Sequence, residues 1–88
     1  MSYEVVWEPV AEDELIDCWL NADNRKTVTR ASHHIDRLLE ADPLQGEHQS
    51  EGLYRICLPP LAAYYEIDEL ERRVRVTNIR QLRPGPSA

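Results

Sequence analysis

Residues 53–58 read LYRICL, a strand-like run in which one arginine, Arg55, stands among apolar neighbours. Alternation along a strand puts Leu53, Arg55 and Cys57 on one face and Tyr54, Ile56 and Leu58 on the other. The following run, LAAYYEID at 61–68, places Ala62, Tyr64, Glu66 and Asp68 opposite Leu61, Ala63, Tyr65 and Ile67 by the same rule. A guanidinium on an open sheet face can hold a phosphate, hold a protein partner, or pair with a carboxylate, for which Glu66 is the expected candidate. Tyr64 on the same face can stack on a base, donate to a phosphate, or simply pack across strands. Arg80 and Arg83, near the end of the chain, carry the same alternatives as Arg55.

Other reactive side chains offer less. His33, His34 and His48 suggest metal or acid–base chemistry by residue type alone, but adjacent helical residues point about 100° apart, and no further ligands at a zinc-binding spacing accompany them. No metal and no cofactor is expected. His48, in the connector before residue 53, is retained as a candidate acid or base outside the main set. Cys18 and Cys57 form no CxxC pair, and each sits in an apolar run where a free thiol acts as a small hydrophobe, so both read as buried thiols.

The elements that must position these residues follow from periodicity. YEVVW at 3–7 reads as a first strand. Pro9 suits the first turn of a helix over about 9–21, Glu12, Asp13 and Glu14 complement its positive end, and Leu15, Cys18, Trp19 and Ala22 recur as a buried stripe. The acidic EDEL run reads as its solvated face. NADN caps a second helix whose apolar face is Val28, Ala31, Ile35, Leu38 and Leu39, and Pro43 ends it at Asp42. LQGEHQSEG is a polar connector. Strands are then expected at 53–58, 61–68 and 72–79. Val74 and Val76 continue the core face, but Ile79 has the opposite parity, which calls for a bulge near Asn78 or an apolar spot on the open face. The fold class is therefore α+β: a helical hairpin packed on a small, mostly antiparallel sheet, in the order β-α-α-β-β-β. The tail RPGPSA reads as flexible, leaving residues 1–83 as a single domain.

An 88-residue chain with 42% apolar residues supports one thin core. Its net charge of −6 is unevenly spread, with four basic and twelve acidic side chains in residues 1–54 and six basic and four acidic ones after them. Such a chain gains little from the counterion release that drives nonspecific nucleic-acid binding, so any such contact has to be local to the C-terminal part. No apolar stretch approaches the ~20 residues of a membrane span, and no leader is evident, so the expected location is the cytoplasm.

Taken in order, the YxVxW opening, the EPxAExxL helix start, HIDRLLEADPL, and GLYRIxxPPLxxYYEID followed by RVxVxxI resemble the RelE/ParE family of bacterial toxins over roughly residues 3–83. The resemblance implies a toxin of a type II toxin–antitoxin system with an antitoxin protein as partner. It also implies either a metal-independent ribonuclease that cuts messenger RNA on the ribosome or a non-catalytic inhibitor of DNA gyrase. In the ribonuclease case a ribose hydroxyl attacks the adjacent phosphate, which needs a base, cations on the phosphate and an acid at the leaving oxygen. Carried over to this chain, the catalytic candidates are Arg55, Tyr64, Arg80 and Arg83. Two positions depart from the ribonuclease pattern: Cys57 stands where a lysine is common and Ala62 where an arginine is. RPGPSA replaces a C-terminal helix bearing a tyrosine or histidine. These departures favour the alternative, a non-catalytic protein of the same fold that is either a ParE-like gyrase inhibitor or an inert family member.

Overall fold

A computed structural model describes residues 2–82; Arg83 and the expected flexible tail at 84–88 lie outside them. The chain runs β1 (Glu4–Trp7), α1 (Pro9–Leu20), α2 (Arg25–Ala41), a 3-10 turn (Pro43–Gln45), β2 (Glu47–Ser50), β3 (Leu53–Leu58), β4 (Leu61–Asp68) and β5 (Arg73–Gln81). The sheet order is β1-β5-β4-β3-β2. Only the β1–β5 pairing is parallel among the described strands, and the rest are antiparallel. The expected order is present with one addition, since the polar connector supplies the short edge strand β2. Its EHQS sequence has no apolar alternation to announce a strand, and all four residues are exposed. It forms because the outer edge of β3 offers unpaired backbone groups.

Both helices start where local chemistry directs. Pro9 occupies the first turn of α1, and the Asn24 side chain accepts the Thr27 N–H at the start of α2. Ala11 and Cys18 of α1 and Val28, Ala31, Ile35 and Leu39 of α2 pack onto the inner face of the sheet, on Ile56, Ala63, Tyr65, Val74, Val76 and Ile79. Full burial of a residue such as Ile35 or Leu39 stabilises the fold by about 1.5–3 kcal/mol.

Trp19 departs from the expected buried stripe and is 37% exposed. It leans from α1 over the groove toward α2, where the Arg25 guanidinium lies 4.5 Å from its ring centre, a favourable cation–π arrangement.

The parity problem at Ile79 is resolved by a bulge. Tyr64 pairs with Asn78 and Tyr65 with Val76, which leaves Thr77 as the extra residue. Its hydroxyl donates to the Tyr64 carbonyl at 3.3 Å, and Val76 and Ile79 can then both enter the core. At the other end of the core the Tyr65 hydroxyl donates to the Pro43 carbonyl at 2.5 Å, so the centre of the sheet is tied to the turn after α2.

Candidate functional site on the open sheet face

Strand register decides which candidate residues meet. Arg55 lies opposite Tyr64, and Tyr64 opposite Asn78. On the outer side of Arg55 the register partner is Glu47. The open face thus carries the row Glu47, Arg55, Tyr64, Asn78 across four strands. The neighbouring row is Cys57, Ala62, Arg80. Arg55 and Tyr64 are therefore brought together, as directly opposed side chains typically are within ~5 Å at Cβ.

Arg55 does not pair with Glu66. Its Nε and Nη2 donate to Cys57 Sγ at 3.2 and 3.0 Å, and these bonds are the chief reason its guanidinium is held above its ordinary pKa. The reason lies in the register, which sets Glu66 opposite Leu53 and Arg75. Arg75 takes Glu66 at 3.4 Å and reaches Glu8 at 3.8 Å. Cys57 is accordingly not a core hydrophobe. It is half-buried on the open face and serves as an acceptor, whereas Cys18 is buried as expected.

Arg80 is the second departure. It stands two strand spacings from Cys57, roughly 10 Å of backbone, and its guanidinium is bound by the Glu14 carboxylate of α1. Because β1 ends opposite Val76, β5 runs on past it with a bare outer edge, and Glu14 fills that edge. It accepts the Ile79 N–H at 2.9 Å and the Asn78 side-chain amide at 3.2 Å. Burial would raise the Glu14 pKa, but the Ile79 N–H, Arg80 and Asn78 together outweigh it and hold the carboxylate below its ordinary value. Glu14 was legible only as part of a solvated acidic run. Its spacing from Ala11, Leu15 and Cys18 puts it on the inner face of α1, the signal that could have singled it out.

The two guanidiniums thus have different partners, Arg55 held on Cys57 Sγ and Arg80 on the Glu14 carboxylate at the sheet edge. Arg73 is likewise bound, to Glu4 at 2.8 Å. Arg83 lies outside the described residues. His48 packs edge-on against Tyr54, with ring centres 5.3 Å apart, beside the Tyr54–Tyr65 stack, so it belongs to the helix-facing side and not to the Arg55 row. His33 and His34 are exposed on α2. Among the described residues no group of three or more His, Cys, Asp or Glu side chains could hold a metal ion, and no helix is long and apolar enough to cross a membrane.

No family model matches the sequence, and no curated protein matches it. Solved structures do match in fold. A chain of the RelBE2 toxin–antitoxin complex from Mycobacterium tuberculosis superposes with a TM-score of 0.75 at 15% identity, over 92% of each chain. A chain of the chromosomal ParDE system from P. aeruginosa gives 0.69 at 12% identity, over 92% of this chain and 97% of that one. A chain of the intact E. coli RelBE complex gives 0.66 at 14% identity, over 93% and 99%. With the helical hairpin, the mixed sheet and the cross-strand register all accounted for, the chain has the fold shared by the RelE and ParE toxin–antitoxin structures.

Proposed function

We propose that this chain is the toxin component of a RelE/ParE-like toxin–antitoxin pair, bound by a cognate antitoxin in the cytoplasm, and that it acts by binding a protein target and not by cutting RNA. The observation that carries this reading is the engagement of the open-face cations. Arg80 is bound by Glu14, Arg75 by Glu66 and Glu8, and Arg73 by Glu4. A phosphate transition state needs cations converging where negative charge grows, and a face on which Arg73, Arg75 and Arg80 are matched by carboxylates and Arg55 is held on Cys57 Sγ offers little such field. The net charge of −6 acts in the same direction. The antitoxin part of the reading is supported by the fold relatives named as toxin–antitoxin complexes, and DNA gyrase is the target class that the ParE likeness suggests.

One observation favours a second reading, a residual ribonuclease acting on ribosome-bound messenger RNA. Arg55 and Tyr64 are cross-strand neighbours, so a cation and a phenol share one small area.

Induced expression in bacteria separates the two. Growth and messenger RNA 5′ ends are followed for the wild type and for an Arg55→Ala, Arg80→Ala double variant. The expected result is growth arrest without new RNA ends in both. New RNA ends that vanish in the double variant would overturn the non-catalytic reading and assign Arg55 to a nuclease site. Unaltered growth with the wild type would overturn the toxin reading itself.

A further inference from the structure

The outer surface of the helical hairpin has a use that neither reading absorbs. Between α1 and α2 lies a groove of about 240 Å³ lined by Leu15, Ile16, Trp19, Val28, Thr29 and Ser32. Beside it Ile16, Trp19 and Leu20 are 53%, 37% and 53% exposed. Large apolar side chains adjoining an apolar groove mark an interaction surface more than a solvated one.

The charges flanking the groove are sorted by helix. On α1 the exposed ionisable residues are Glu12, Asp13 and Asp17, all acidic. On α2, from residue 25 to 37, they are Arg25, Lys26, Arg30 and Arg37, with His33 and His34 among them. The acid in that stretch, Asp36, is turned inward and accepts the Trp7 indole N–H at 2.6 Å. The salt bridges among the described residues all involve other side chains: Arg73, Arg75 and Arg80 with Glu4, Glu8, Glu66 and Glu14. Glu12, Asp13, Lys26 and Arg30 therefore leave their charge available. A chain whose sum is strongly acidic nonetheless presents a basic helix next to an acidic one, with an apolar seam between.

We infer that this face pairs with a second copy of the same chain. A two-fold axis through the seam sets the acidic α1 of one copy on the basic α2 of the other, and the reverse contact follows by symmetry, so one patch satisfies both halves of the interface. Ile16, Trp19 and Leu20 of both copies then form the apolar centre, with opposite charges at the rim. An RNA would meet the acidic helix along one whole side of the groove, and a uniformly acidic peptide would meet the same obstacle; the self-complementary copy does not.

The test is sedimentation of the purified chain across a concentration series, with two charge-exchanged variants. In one, Glu12→Lys and Asp13→Lys make both helices basic; in the other, Lys26→Glu and Arg30→Glu make both acidic. The wild type is expected to dimerise reversibly, and each variant alone to weaken the dimer at least about tenfold. An equimolar mixture of the two should recover a dimer, because each contact again joins opposite signs. Ile16→Ser, which changes no charge at a half-exposed position, should weaken the dimer independently, and circular dichroism verifies that each variant is folded. A wild type monomeric up to about 1 mM overturns the inference, whether or not it captures an acidic peptide. So does a dimer that neither exchange perturbs, or folded variants whose mixture stays monomeric.

Discussion

Replacing Gly46 by alanine is expected to destabilise the protein far more than its place in a surface turn suggests. Gly46 has φ −72° and ψ 167°, a conformation open to any residue, so the penalty is one of space alone. A Cβ there would stand 2.0 Å from the Tyr65 hydroxyl oxygen, 2.9 Å from the Arg55 carbonyl oxygen and 3.0 Å from Tyr65 Cζ. Tyr65 has no exposed surface, so its ring cannot swing into solvent to make room. Moving it breaks the 2.5 Å bond to the Pro43 carbonyl, which leaves a buried acceptor short of a partner at about 1–3 kcal/mol. Displacing packed atoms adds about 1–3 kcal/mol. The expected loss is therefore about 2–6 kcal/mol, against a total of about 5–15 kcal/mol for a whole domain. Even the lower figure lowers Tm by about 8 °C or more in a domain of this size. Urea unfolding of wild type, Gly46→Ala, Tyr65→Phe and the double variant provides the measure. Tyr65→Phe alone should cost about 1 kcal/mol. In the double variant the added methyl no longer meets the hydroxyl, so the double should cost less than the sum of the singles by about 1–2 kcal/mol. If Gly46→Ala lies within about 0.5 kcal/mol of wild type, or the two losses simply add, the proposed steric coupling is wrong.

Three further outcomes follow from the same contacts. Burial, before all else, pushes the Tyr65 phenol up to about 12 from an ordinary value of 10.0; the unfolded chain ionises first, so stability should fall as pH rises from about 10 to 12, by at most about 3 kcal/mol. Urea melts over that range would show it, and Tyr65→Phe should flatten the slope. Glu14 has the opposite sign: its folded pKa is depressed, so its contribution is present above the ordinary carboxylate range and lost on acidification through the folded value. Glu14→Gln should therefore reduce the acid sensitivity of unfolding, and an unchanged pH profile would show that the carboxylate has no linked role. Gly52 sits at φ +77° in the β2–β3 turn with open space around it, so Gly52→Ala should cost about 1 kcal/mol from backbone strain alone, and Gly52→Asn less, in thermal melts.

The hairpin and the main strands were legible because their signals are periodic and local. Pro9, Asn24 and Pro43 mark helix ends by backbone chemistry, and the alternation in LAAYYEID survives at its observed positions. Ile79 exposed the conflict between parity and hydrophobicity from which the bulge at Thr77 could be anticipated. What escaped was set by register between distant segments. Nothing local in LYRIC says that Arg55 will turn onto Cys57 instead of reaching Glu66, since the outcome depends on which residues β4 and β5 bring opposite. Nothing local in EDEL says that one of its carboxylates will cap the bare edge of a strand 65 residues away. The strand β2 was hidden for a related reason, because its pairing is supplied by β3 and not by any preference of EHQS.

The position of β5 between β1 and β4 also sets a timetable for folding. The first strand made finds its partner only in the last, with Glu4 meeting Arg73 across a separation of 69 residues. Closing so long a loop costs entropy before any pairing repays it, and contacts of this kind slow the search for the native state. During synthesis the helical hairpin can form early, while β1 has no place in the sheet until the β4–β5 ribbon exists. The emerging chain therefore stays incomplete through most of its synthesis, and the open-face row of Arg55, Tyr64 and Asn78 is assembled only once β5 has joined β4.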